Sequence, residues 1–176
     1  FFVFFFYVFF ICLHLPGCLI DHGYTATTGT IFLALIGLFN IIGTYSAGWL
    51  GGKFSKPHLL MWLYGLRGIA IIGFLMLPLS TWTIYAFGVI MGLLWLATVP
   101  LTNGIVANMF GVKYLSMLSG IVFFTHQVGS FFGGWLGGVN HDMTGNYNMI
   151  WAVSIVLSVC GVLVHFFVTE EHVIHD

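Results

Sequence analysis

Charge is what this 176-residue chain has least of. Asp, Glu, Lys and Arg together make up 5 % of it and apolar residues 60 %, against roughly 25 % charged residues in a soluble domain. A chain with so few charges has no surface to offer water, so its solvent is lipid. Four Lys and Arg against five Asp and Glu leave a net charge of −1. That excludes the phosphate-neutralising surface that nucleic-acid binding requires. The three cysteines, Cys12, Cys18 and Cys160, sit in or at the ends of apolar runs. They show neither a metal spacing nor a secreted disulfide framework, and are expected to be buried as small hydrophobes. No Gly-rich phosphate loop and no nucleophile-plus-base motif occurs, so neither an enzyme, a cofactor nor a metal site is expected. The opening FFVFFFYVFF lacks a basic n-region. It is no signal peptide and reads as the interior of a longer chain.

What the chain has is length in apolar runs. A helical span takes about 20 apolar residues, and six runs qualify, at 3–20, 29–50, 59–77, 82–106, 115–136 and 148–168. They are continuous rather than alternating, which selects helices over barrel strands. The expected fold is therefore all-α: a polytopic membrane protein of six transmembrane helices, with a polar tail at 169–176. Lys53 and Lys56 fall in the second break and Lys113 in the fourth, which share one face. Asp21 and Asp142 fall on the other. The lysine bias predicts that the Lys face and the tail are cytoplasmic, in a cell (inner) membrane.

The sequence GTYSAGWLGG at 43–52 lies over GSFFGGWLGG at 129–138. The copies end the second and fifth spans, the middle helices of two three-helix sets. Three spans separate them, so the two helices run in opposite directions. That is the trace of a 3+3 inverted repeat. Gly43, Ala47 and Gly51 then form an i, i+4, i+8 stripe, and Gly129, Gly133 and Gly137 form another. Small residues at this spacing let helix backbones approach closely.

GWLGGKFSKPHLL (48–60) resembles the loop signature of the major facilitator superfamily, a Gly-rich helix end followed by acidic and basic residues. The acidic position is here Lys or Ser, and the basic cluster is reduced to Lys56 and His58, so no gating ion pair is assigned to it. LYGLRGIAI (63–71), GLLWLATVPLTNGIVANMFG (92–111) and SGIVFFTHQVGSFFGGWLGGVNHDMTGNY (119–147), with HLP (14–16), are similar to the monocarboxylate-porter-like branch, in a bacterial member. The resemblance implies the C-terminal half of a twelve-helix transporter. Its partners would be the bilayer, a small-molecule substrate and its own N-terminal six-helix half.

Polar residues inside spans carry the functional expectations. Arg67 is the one charge well inside a span, about eight residues and so roughly 12 Å from the start of the third helix. Two readings stand: a guanidinium facing a cavity and pairing a substrate carboxylate, or a structural Arg that snorkels or bonds helix-end carbonyls. Tyr64, at i−3, shares its face. His126 lies mid-span. The repeat alignment sets Asn40 opposite it, each three residues before a Gly stripe. A histidine titrates near neutral pH, so His126 is the candidate proton carrier as well as a substrate contact. Ser130 shares the His126 face at i+4, whereas Gln127 points about 100° away. His14, ahead of Pro16, and Trp95 and Asn103, around Pro100, complete the candidate cavity, because Pro frees carbonyls in a helix that bends or lines a cavity. His165 is expected at the interface. Trp62, Trp82, Tyr85, Tyr147 and Trp151 fit an interfacial aromatic belt. His172 and His175 share an i, i+3 spacing of weak metal character.

The function expected is secondary active transport of a small monocarboxylate-like anion with a proton, by alternating access. A second reading within transport is a neutral or drug-like solute, since the cavity is aromatic and nearly uncharged. The reading from another class is a self-standing six-span haem or redox protein using His14, His126 and His165.

Overall fold

The structure, a computed structural model, describes residues 2–168, with side chains from Phe6 onward. Its elements are α1 (Phe2–Asp21), α2 (Ala26–Gly51), α3 (Lys56–Met76), α4 (Thr81–Leu94), α5 (Thr98–Phe110), a 3₁₀ turn Val112–Tyr114, α6 (Leu115–Thr144) and α7 (Asn148–Phe166). No strand occurs among the described residues. Five stretches are long and apolar enough to cross a membrane: α2, α3, Thr81–Phe110, Val112–Thr144 and α7. Helix α1 adds a sixth apolar helix of 20 residues.

Local chemistry sets the helix ends. Pro57 sits in the first turn of α3, where its missing N–H costs nothing. Ser80 caps α4 by accepting the Thr83 N–H at 3.2 Å. Gly145 ends α6 in the left-handed region, φ 69°, and its N–H returns to the His141 carbonyl at 2.8 Å, the common Gly stop.

Two spans differ from expectation. The fourth is two helices, α4 and α5, broken over Trp95–Ala97. Pro100 has no N–H for the Leu96 carbonyl and its ring crowds that carbonyl. The turn tightens instead, with Val99 N–H on Leu96 O at 2.9 Å. The fifth runs past Leu136 to Thr144, so 137–144, expected as loop, is helix. Gly137 is packed rather than free there, and Asn140 turns back to donate to the Asn146 carbonyl at 2.6 Å. Pro16, conversely, leaves α1 unbroken, and its ring lies against Gly29 of α2.

The helices pair in a fixed pattern. Helix α1 packs on α6, α2 on α4 and α5, and α3 on α7. Glycine sets the first two distances. A Cβ on Gly43 would fall on the Leu93 carbonyl, and one on Gly133 on the Phe6 carbonyl. These backbones touch at Gly43 and at Gly133. Gly88 and Gly92 do the same work from the α4 side, against Phe32 and Ile36. Between α3 and α7 the seam is Gly68 on Ser158, and Gly161 on the Tyr64 ring.

An aromatic core fills the middle. Phe74 stacks on Phe87 at 4.3 Å, and Trp151 meets Phe10 edge-on at 4.9 Å. Trp151 is thus core, not interfacial belt: only 5 % of it is exposed. Its position one turn into α7 points it at α1 and α3. Trp62 and Trp82 do face outward. Of the cysteines, Cys12 and Cys18 are half-buried and Cys160 is exposed, which corrects the expectation of burial. In an apolar exterior the outward face of α7 meets lipid, and a small thiol is tolerated there.

Candidate functional site: the break in the fourth span

The break frees backbone groups in the middle of a bundle, where water cannot satisfy them. Side chains from two neighbours do so. From α3, Arg67 donates through Nη2 to the Leu94 and Trp95 carbonyls, the latter at 2.7 Å, and through Nη1 to the Tyr7 hydroxyl at 3.4 Å. From α2, Asn40 Oδ1 accepts the Leu96 N–H at 3.0 Å and the Thr44 hydroxyl at 3.2 Å. The two exposed ends of the broken ladder, carbonyls and amide, are therefore held by a cation and an amide oxygen of matching polarity.

Arg67 is 0 % exposed. Helix α3 begins at Lys56, so Arg67 lies eleven residues in, about 17 Å at 1.5 Å per residue. The snorkelling alternative is thereby corrected, because the guanidinium turns to the break and not to the membrane surface. Below it Tyr64, also buried, places its ring 5.4 Å from the guanidinium carbon. Tyr64 in turn stacks on His165 at 5.0 Å. His165, in the last turn of α7, is thus packed between α3 and α7, its Nδ1 donating to the Gly161 carbonyl at 2.7 Å. Thr98, at the start of α5, is fully buried, and its hydroxyl has no hydrogen-bond partner among the described residues.

The remaining expected residues lie on other seams. His126 is half-buried on α6. Its ring stacks on Phe123 at 4.8 Å and meets the edge of Phe9 at 6.3 Å, and its carbonyl accepts the Ser130 hydroxyl at 3.0 Å. Asn103 of α5 accepts from Ser119 of α6 at 3.1 Å. His14 donates Nε2–H to the Gly134 carbonyl at 2.8 Å and pins α1 to α6. Its ring occupies the space over Gly137, where a Cβ would come within 2.6 Å. The structure therefore brings Arg67, Asn40, Trp95 and Tyr64 together, and leaves His126 with Ser130, His14, and Asn103 as separate contacts.

Sequence reasoning missed Tyr7, Leu94 and the cluster at the Asp21 end of the bundle. There Asp21 and His141 stand 3.7 Å apart and Tyr147 stacks on His141 at 4.6 Å. Burial first, then Cys18, Asp21 and Asp142, push the Tyr147 phenol above its ordinary pKa. Tyr7 offered no signal, since nothing in FFVFFFYVFF distinguishes it from a lipid-facing ring. Among the described residues no three His, Cys, Asp or Glu side chains gather as a metal would need. His172 and His175 lie outside the described residues.

Comparison with known proteins agrees with this architecture. The model of the Major Facilitator Superfamily matches residues 1–175. An uncharacterized MFS-type transporter, YcxA, of Bacillus subtilis (strain 168) is 33 % identical over 130 residues, covering 70 % of this chain and 32 % of that protein. Monocarboxylate transporter 12-B of Danio rerio is 26 % identical over 139 residues, covering 77 % of this chain and 29 % of its own. The chain thus spans about a third of the length of the curated relatives it matches. With a family match over nearly every residue and a bundle of apolar, membrane-length helices beneath it, the chain belongs to the Major Facilitator Superfamily, a family of membrane transporters and not of enzymes.

Proposed function

We propose that this chain is the C-terminal six-helix half of a secondary active transporter that moves a small monocarboxylate-like anion with a proton. The six-span bundle is consistent with one half of a twelve-helix fold. The carrying observation is the pairing of α1 with α6, α2 with α4–α5, and α3 with α7. Exchanging the first three spans for the last three leaves that pattern unchanged, as a 3+3 inverted repeat requires. In this reading the half rocks against an N-terminal counterpart around a site near the midplane. The ends bearing Lys53, Lys56 and Lys113 face the cytoplasm, by the excess of Lys on that side.

The anion reading is supported by the likeness to a monocarboxylate transporter and by Arg67, a forked donor at mid-membrane depth. A substrate carboxylate would replace the Leu94 and Trp95 carbonyls as its partner, which makes the break part of the cycle. His126, half-buried on α6, is the proton carrier in this scheme. One observation favours the second reading, a neutral or drug-like solute: Arg67 is fully enclosed and already bonded to two carbonyls.

The intact protein, reconstituted in vesicles, separates them. The anion reading expects counterflow of labelled lactate, faster as the pH on the uptake side falls, with His126→Gln abolishing that pH dependence. Counterflow of an uncharged solute that lactate and pyruvate do not inhibit would establish the second reading and end the first.

A further inference from the structure

We infer that the pocket at the Asp21 end of this six-helix unit binds a small organic cation with an aromatic or apolar body. The pocket opens between the ends of α1, α3, α6 and α7 and has a volume of about 470 Å³. Ligand pockets for small molecules run from roughly 300 to 1,000 Å³ and combine apolar walls with a few convergent polar groups. Here Phe74, Trp151 and Tyr147 form the walls, and Asp21, His141 and Asn146 form the rim.

The sign of the ligand follows from what converges there. Helices α1, α3 and α6 end at this face and α2, α4 and α7 begin there, so the helix dipoles nearly cancel and the side chains decide the sign. Asp21 lines the pocket, with 59 % of its side chain exposed, and Asp142 stands beside His141 in the sequence. Lys53, Lys56 and Lys113 lie at the opposite ends of the helices, and Arg67 is enclosed at the break. His22 also lines the pocket and donates to the Cys18 carbonyl at 2.8 Å; it carries positive charge only when protonated. His141, 3.7 Å from Asp21, is charged only when protonated. A carboxylate beside aromatic faces recognises a quaternary ammonium through charge and cation–π attraction together. Protonated His141 is the competitor for the same carboxylate.

The experiment is calorimetric titration of the intact detergent-solubilised protein with benzyltrimethylammonium at pH 8, with its neutral isostere neopentylbenzene as control. The site predicts saturable one-to-one binding of the cation. Binding weakens about tenfold or more for the isostere and for Asp21→Asn, and changes less than about twofold for Asp142→Asn, whose residue does not line the pocket. Tyr147→Leu, which removes an aromatic wall, should also weaken binding. Absence of saturation up to about 10 mM, equal binding of the isostere, or wild-type affinity in Asp21→Asn would each overturn the assignment.

Discussion

Consider alanine at two glycines of α2, Gly43 and Gly37. Each substitution gains the same helix propensity, about 0.5–1 kcal/mol, so their difference isolates the contact. At Gly37 a Cβ meets nothing within 4 Å. At Gly43 it falls on the Leu93 carbonyl oxygen, with the carbonyl carbon at 2.6 Å and Cα at 2.8 Å. Those atoms are backbone and cannot rotate away. Ordinary contact begins at 3.4 Å, so α2 must retreat from α4 by roughly 1–1.5 Å. Such a gap forfeits about half or more of each dispersion well along the seam. Overpacking a tight contact costs about 1–3 kcal/mol. Gly43→Ala should therefore be less stable than Gly37→Ala by about that amount. Reversible unfolding in mixed micelles measures it on the intact protein. If the two variants unfold together, or Gly43→Ala unfolds later, then α2 and α4 are not in backbone contact and the role given to the glycine stripe is wrong.

Two further outcomes follow from the ends and the break. Arg67→Leu strips the donors from the Leu94 and Trp95 carbonyls and should cost about 2–5 kcal/mol, while Arg67→Lys, which keeps the charge but loses the fork, should cost roughly 1–3 kcal/mol. Thermal unfolding in lipid nanodiscs tests both, and a wild-type midpoint for Arg67→Leu would refute the staple. Gly145→Ala forces a Cβ into the left-handed region that ends α6 and should destabilise by about 1 kcal/mol, whereas Gly120→Ala, in open space on the same helix, should not; equal stability of the two would refute that stop.

Some of this architecture is legible in the amino-acid sequence. Continuous apolar runs fix the number of spans, because 20 apolar residues have no other stable place, and the duplicated GWLGG points to the helices whose backbones touch. The break at Trp95–Ala97 is half legible. Pro100 announces trouble in the fourth span, but proline says only that the ladder fails, not which side chains repair it. That Arg67 and Asn40 do so is set by the relative rotation of α3 and α2, which no single-helix pattern encodes. The extension of α6 through GGVNHDMT is hidden for a related reason. Glycine pairs read as loop in isolation, yet here His14 fills the space over Gly137 and tertiary contact overrides propensity.

The two copies of the repeat are most informative where they diverge. In each, a polar residue stands three positions before the glycine stripe: Asn40 before Gly43, and His126 before Gly129. In α2 the backbone contact occurs at Gly43 itself, so Asn40, one turn away, is carried against the break and accepts the Leu96 N–H. In α6 a backbone contact occurs at Gly133, against the Phe6 carbonyl. His126 stands against Phe123 and the edge of Phe9. The first copy thus uses its polar residue to hold the break in the fourth span, while the second packs its residue among aromatic rings. This predicts coupling between Gly43 and Asn40. A double-mutant cycle of Gly43→Ala with Asn40→Ala should show an interaction of about 0.5–3 kcal/mol, because separating the helices already breaks the Asn40 bond, so the second substitution loses little more. Additivity in that cycle would mean that the glycine contact does not deliver Asn40 to the break.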